Sequence, residues 1–360
     1  NLQKTGAFKI RGAFNKIVKL DDTAKKKGLI ASSAGNHAQG VAYAAKKLGV
    51  KATICMPAHT PLIKVDATKQ HGADVVLYGE VYDEAYAKAV ELQKSEGYTF
   101  VHPFNDEKVI AGQGTIGLEI LEQEPHVDAV FVAIGGGGLA SGVACAIKSI
   151  KPDCKVYGVQ AAGAPSMYDS INKGEIIELE SVSTIADGIA VKKPGDLTFE
   201  MCKKYLDGVV TVTEDEIATA ILTLMETQKT VAEGAGASSV AAVMFDKVPE
   251  VKGKNIVCVI SGGNIDVSIL SRVITKGLTK TGRITEITTK VVDKPGQLIN
   301  LLQLISNAGA NIITIDHQRE AKKSEVNSCI VSMVLETRNI KHSEEICIAL
   351  QQNGYEIFES

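Results

Sequence analysis

A chain of 360 residues, 45% hydrophobic and 22% charged, has the length for two or three globular domains and the composition of a water-soluble protein. Its net charge of -3 excludes a basic nucleic-acid surface and an acidic tail. Its seven cysteines are scattered with no Cys-x-x-Cys pair, and Cys55 and Cys258 sit inside strand-like runs, which fits small core residues of a reducing, cytoplasmic compartment.

The chain opens on Asn-Leu-Gln, and a candidate site follows within ten residues, so upstream sequence is expected; no signal peptide is visible. Gly6-Ala7-Phe8-Lys9-Ile10-Arg11-Gly12-Ala13 leads directly into a helical pattern. Lys9 is its one candidate nucleophile, because an amine forms a Schiff base with a carbonyl once apolar packing or a nearby cation lowers its pKa. Phe8 and Arg11 offer those two influences. Equally, Lys4, Lys9, Arg11, Lys16 and Lys19 fit the solvated face of an ordinary helix.

Residues 29-104 alternate apolar runs with helices. The runs at 29-31, 52-56, 75-78 and 99-101 are predicted strands, with helices over about 36-48, up to about 70, and over 82-96 between them. Unalternating strands separated by helices imply a parallel sheet covered on both faces. The same grammar resumes after 105, with a longer helix, then strands at 127-134, 156-159 and 255-260, and a helix capped by Thr213 before Glu214-Asp215-Glu216. The uncharged run 129-147 has the length of a membrane span, but its four central glycines predict a strand, a turn and a helix. From 284 the order becomes strand, helix (297-307), strand (311-317), strand (327-335), helix (343-353) and strand (355-358). This βαββαβ order marks a separate domain, 281-360, behind a 1-280 catalytic part with a smaller subdomain at about 12-104.

Three polar turns follow strands. Ser32-Ser33-Ala34-Gly35-Asn36-His37 opens a helix, either as a carboxylate or phosphate site or simply with Ser33 as N-cap. Gly135-Gly136-Gly137-Gly138-Leu139 lets backbone wrap a phosphate without side-chain obstruction. Gly135, Gly137 and Ala140 also fit a dinucleotide fingerprint, but the next strand ends in Gln160 where that motif wants an acid, so a nicotinamide enzyme is the weaker reading. Ser261-Gly262-Gly263-Asn264 is either a tight turn or a third wall of the same cleft. Asp187-Gly188 and Glu233-Gly234 are glycine-bearing loops without an assigned role. No histidines have metal-ligand spacing, so no metal is expected.

Together, Phe8-Lys9-Ile10-Arg11-Gly12-Ala13 and the three turns resemble, in order and spacing, the threonine dehydratases (threonine ammonia-lyases). These are pyridoxal-phosphate enzymes of the tryptophan-synthase-β group, fold type II. The resemblance covers residues 1 to about 280 and implies an α/β fold of two parallel-sheet subdomains. Residues 284-360 resemble an ACT regulatory domain, with Asp293, Pro295, Gly296, Gln297 and Leu298 in its ligand-side loop.

By this resemblance Lys9 would carry pyridoxal 5'-phosphate and act as general base. Gly135, Gly136, Gly137 and Gly138 would bind the phosphate, Asn36 the phenolic oxygen, and Ser261 would face the ring nitrogen. Phe8 and Gly188 would flank the ring, and Ser33, Gly35, Asn36 and His37 would hold the substrate carboxylate. A serine at the ring nitrogen favours elimination over transamination. The implied reaction is L-threonine to 2-oxobutanoate and ammonia, and L-serine to pyruvate.

Two departures from serine racemases stand out. Ala34 occupies the place of their opposite-face serine, so racemisation is expected to be poor, and Gln160 and Ser166 replace their divalent-ion carboxylates. Alternatives are a racemase or serine dehydratase, a β-replacement enzyme of the same fold, or a non-catalytic amino-acid sensor. The resemblance further implies an amino-acid or nucleotide effector and a homodimer or homotetramer, with no nucleic-acid or membrane partner.

Overall fold

The computed structural model describes residues 1-319 and 327-358. They divide into two compact units, Asn1–Asp266 and Val267–Ser360.

The first unit holds two four-stranded sheets. Strands β1 (Leu29–Ser32), β2 (Ala52–Met56), β3 (Asp74–Leu77) and β4 (Thr99–Phe100) form one, in the order β3-β2-β1-β4. Strands β5 (Ala129–Ala133), β6 (Lys155–Ala161), β7 (Gly208–Val212) and β8 (Ile256–Cys258) form the other, in the order β7-β6-β5-β8. Every pairing in both is parallel. The central strands β1 and β5 are buried along their whole length, as continuous apolar runs covered on both faces require. In each sheet the strand that comes first in sequence has later strands on both sides. The chain therefore switches direction across β1 and across β5, and a crevice opens beyond the carboxyl ends of these strands.

Strand β7 has no counterpart in the sequence reading, which passed from 156-159 directly to 255-260. Its Gly208-Val-Val-Thr-Val run is β-branched but short, and it lies half-buried at the sheet edge, where the apolar contrast is weak. Elsewhere local chemistry sets the boundaries as expected. Thr213 accepts from the Glu216 N–H at 3.3 Å while Glu216 accepts from the Thr213 N–H at 2.8 Å, a reciprocal cap on helix Glu214–Gln228. The long uncharged run resolves into β5 and helix Gly138–Ile150, and among the described residues no helix is long and apolar enough to cross a membrane.

The second unit contains helix Val267–Lys280, then β9 (Ile284–Val292), helix Gln297–Asn307, β10 (Asn311–Gln318), β11 (Ser328–Glu336), helix Ile340–Gln352 and β12 (Ile357–Phe358). The sheet runs β10-β11-β9-β12, all antiparallel, and β11 alternates buried and half-buried residues as a one-sided sheet should. Val331, Met333 and Leu335 of β11 meet Leu301, Ile305 and Ile346 of the helices in its core. Helix Val267–Lys280 packs on β9, so the division falls after Asp266 rather than after residue 280. Asp293, Pro295 and Gly296 form the turn that closes β9. Gly296 takes a left-handed φ of 89° ahead of helix Gln297–Asn307, which begins with Gln297 and Leu298.

Candidate active site

Residues 5-8 are stitched to the turn after β8. The Phe8 N–H donates to Ser261 O at 2.9 Å, the Gly263 N–H to Gly6 O at 2.9 Å, and Asn264 Nδ2 to Thr5 O at 2.7 Å. This brings the first turn of helix Lys9–Val18 into the crevice, although some 250 residues of chain separate the two segments. Lys9 is partly buried there, and its Nζ donates to Pro103 O at 2.8 Å beside the Phe8 ring. Burial brings the amine from 10.5 down to about 8, against the opposing pull of the Glu233 carboxylate.

The solvated-face reading of this helix therefore fails at Lys9, and Arg11 is not the cation that tunes it. Arg11 is committed to Glu119, with Nη2 2.7 Å from Oε2, and Lys16 pairs with Asp106 at 2.6 Å.

In the glycine turn after β5 the carbonyls of Gly136 and Gly137 have side-chain partners. Thr198 Oγ1 donates to Gly136 O at 2.6 Å, and the Cys202 thiol reaches Gly137 O. No backbone N–H from Gly136 to Leu139 donates to an acceptor among the described residues, although all four residues are buried. Buried donors without acceptors at a helix N-terminus form a ready anion cradle. The packing behind the turn explains the glycines: a Cβ on Gly136 would run into the Phe104 ring, and Gly137 has φ +97°. Gly135 lies against Gly188 and Ile189 of the short turn Asp187–Ile189, which places Gly188 at the edge of the cradle.

The turn after β1 opens helix Asn36–Lys47 without a side-chain N-cap. Ser33 Oγ instead accepts from the Gly35 N–H at 3.2 Å, so the capping alternative does not hold. The N–H groups of Asn36 and His37 lie in the first helical turn, outside the intrahelical ladder, and the space above Gly35 is open. The His37 ring faces inward. Its Nε2 donates to Val101 O at 2.7 Å, and burial together with the Lys9 amine pushes its pKa down to about 3. Its backbone, not its ring, is what it presents to an anion.

Asn36 joins the walls. Its Nδ2 donates to both oxygens of Glu233, at 2.8 and 3.0 Å, and its Oδ1 accepts from Asn264 Nδ2 at 2.8 Å. Lys9, Asn36, Ser261, Gly188 and the glycine turn thus converge on one crevice.

Two participants were not among the sequence candidates. Glu233 is 4% exposed, with its pKa pushed up to about 7 chiefly by burial. His102 accepts from the N–H groups of Phe104 and Asn105 at Nδ1, at 3.2 and 2.8 Å, which makes Nε2 the protonated nitrogen; burial and Lys9 bring its pKa down to about 4. The only sequence signal for Glu233 was its adjacency to Gly234. Gln160 and Ser166 are buried and engaged with the backbone, Gln160 Oε1 accepting from the Tyr168 N–H and Ser166 Oγ donating to Val191 O, both at 2.8 Å.

A tuned amine, a turn of buried amide donors without protein acceptors and an amide side chain held by a carboxylate fit a phosphate-bearing aldehyde. Comparison with known proteins agrees. The family described as pyridoxal-phosphate dependent enzyme matches residues 1-262. An L-threonine ammonia-lyase of Thermotoga maritima is 54% identical over 357 residues, covering 99% of this chain and 88% of that protein. The processed form of threonine deaminase isoform 2 from Solanum lycopersicum aligns with a TM-score of 0.74 at 44% identity, over 76% of this chain and 80% of that one. Maize serine racemase aligns with a TM-score of 0.72 at 37% identity, over 78% and 86%. The architecture is that of fold type II, and the chain belongs to the pyridoxal-phosphate-dependent enzymes.

Proposed function

We propose that this protein deaminates L-threonine to 2-oxobutanoate and ammonia, and L-serine to pyruvate. The observation that carries the reading is Lys9: a partly buried amine brought down to about 8, beside the first turn of helix Asn36–Lys47 and a glycine turn whose N–H groups from Gly136 to Leu139 have no acceptor among the described residues. Bound pyridoxal phosphate supplies the electron sink for the β-elimination. The chain's own residues do the rest. Lys9 Nζ would anchor the cofactor and, when released, would take the α-proton; its lowered pKa favours the neutral amine that such a base requires. The turn Gly135, Gly136, Gly137 and Gly138, joined by the Leu139 N–H, would hold the phosphate, and Ser33, Gly35, Asn36 and the backbone of His37 would hold the substrate carboxylate. Phe8 and Gly188 would flank the ring, with Ser261 facing its nitrogen.

Ala34 carries no acid to reprotonate from the opposite face, which favours deamination over racemisation. The second unit, through the 293-298 turn, answers to an amino-acid or nucleotide effector in the manner of an ACT domain, within a homo-oligomer.

Borohydride reduction of the loaded enzyme followed by peptide mapping, together with assays of keto-acid release and of D-serine formation, tests this. A pyridoxyl label on Lys9 is expected, with keto-acid release from threonine and serine and far slower D-serine formation. An unlabelled Lys9 would end the lyase reading in favour of a sensor, and racemisation as fast as deamination would overturn the role given to Ala34.

A further inference from the structure

Glu233 is an acid without an assigned role, and its surroundings are built around it. It stands at the N-cap of helix Gly234–Met244, but its side chain does not cap that helix. The carboxylate turns into the crevice instead, where Gly262 makes room for it and Gly188 lies alongside. A Cβ on Gly262 would run into Oε1, and one on Gly188 would lie 3.4 Å from the same atom. Neither glycine has a positive φ, so at 262 the residue is explained by the carboxylate beside it rather than by the turn.

The hydrogen bonds around it have a fixed direction. Thr5 O can only accept, so Asn264 Nδ2 must face it; the same Nδ2 donates to Asn36 Oδ1. Asn36 Nδ2 then faces Glu233, whose carboxylate can only accept. Reversing the Asn36 amide would set its oxygen against two carboxylate oxygens and its nitrogen against the Asn264 nitrogen, so Glu233 on one side and Asn264 on the other select the same orientation. The two oxygens of one carboxylate lie too close together to take both diverging N–H bonds of an amide, so one N–H of Asn36 is shared between them and the other stays free.

We infer that Glu233 is a positioning residue of the site: opposite Asn264, its carboxylate locks the Asn36 amide in one orientation and reserves the remaining N–H for the ring oxygen of the cofactor. The inference rests on the reading in which Asn36 meets that oxygen. Glu233 acts through Asn36, and the nearby Lys9 amine feels its charge as a second consequence of the same placement.

The test uses the full chain. The dissociation constant of pyridoxal phosphate and the position of the bound cofactor's visible absorption band are measured for wild type, Glu233→Gln, Glu233→Asp, Asn36→Ala and the Glu233→Gln/Asn36→Ala double variant, with thermal unfolding of the cofactor-free proteins alongside. Glu233→Gln should bind the cofactor about tenfold more weakly, the loss expected for one charge-assisted hydrogen bond, and should shift the band. Glu233→Asp, which keeps the charge, should hold the band in place and lose less affinity. The double variant should bind no more weakly than Asn36→Ala alone, because the two residues work as one unit.

A wild-type dissociation constant and band in Glu233→Gln, or additive losses in the double variant, overturns the assignment. So does a Glu233→Asp protein that shifts the band and loses affinity as Asn36→Ala does, a comparison that holds even if the glutamine variant does not fold. Failure of the underlying reading is separate: it would appear as a wild-type protein in which borohydride leaves Lys9 unlabelled.

Discussion

The Lys9 amine is a measurable quantity apart from turnover. In the cofactor-free protein its reductive methylation, followed by peptide mapping, should become half-maximal near pH 8. A half-maximum near the ordinary lysine value of about 10.4 would show that burial does not tune it. The linkage sign follows from the lowered pKa: the folded state disfavours protonated Lys9, so a stability penalty is present below about pH 8 and fades as pH rises towards 10.5. The residues that carry this chemistry differed in how far the sequence revealed them. Lys9 and the glycine turn are legible because their types are rare in that setting. Glu233 is not, because an acid just before a helix reads as a favourable first-turn charge, and its partner Asn36 lies 197 positions away. The Lys9 tuner was misassigned for the same reason: Arg11 is its neighbour in sequence, but Glu119 claims it in space.

Strand-turn-helix units were legible where a buried strand ends at a glycine or a cap, as at β1, β5 and helix Glu214–Gln228, because burial and turn chemistry act locally. Strand β7 escaped because an edge strand needs only one apolar face. What local pattern does not disclose is the packing behind a turn. Phe104 fills the space behind Gly136 and is itself met edge-on by His102, with ring centroids 4.7 Å apart, a contact that opposes its withdrawal. Gly136→Ala should therefore displace the turn at a cost of about 1–3 kcal/mol and weaken cofactor binding, while far-ultraviolet circular dichroism stays that of wild type. Cofactor affinity equal to wild type in that variant would mean that Phe104, and not the turn, gives way.

The βαββαβ order of residues 284-358 was legible in the chain because its strands alternate, and each unit has its own core: Val130, Val132, Val143 and Ile147 among others around β5, and Leu301, Ile305, Val331 and Met333 in the second unit. Separate cores predict separate responses to ligands. Every residue proposed to touch the cofactor lies within Asn1–Asp266, and a ligand stabilises only the cooperative unit that binds it. At a hundredfold excess over its dissociation constant, pyridoxal phosphate should add about 2.7 kcal/mol to the first unit, which for a domain of this size raises its midpoint by several degrees. Differential scanning calorimetry of the full chain should then resolve two transitions, with the larger-enthalpy one moving upward on loading and the smaller one staying in place. An amino-acid or nucleotide effector of the second unit should move the smaller one first. A single transition that rises as a whole on loading would show instead that the two cores melt as one cooperative unit, so that an effector bound to the second would draw directly on the stability of the first.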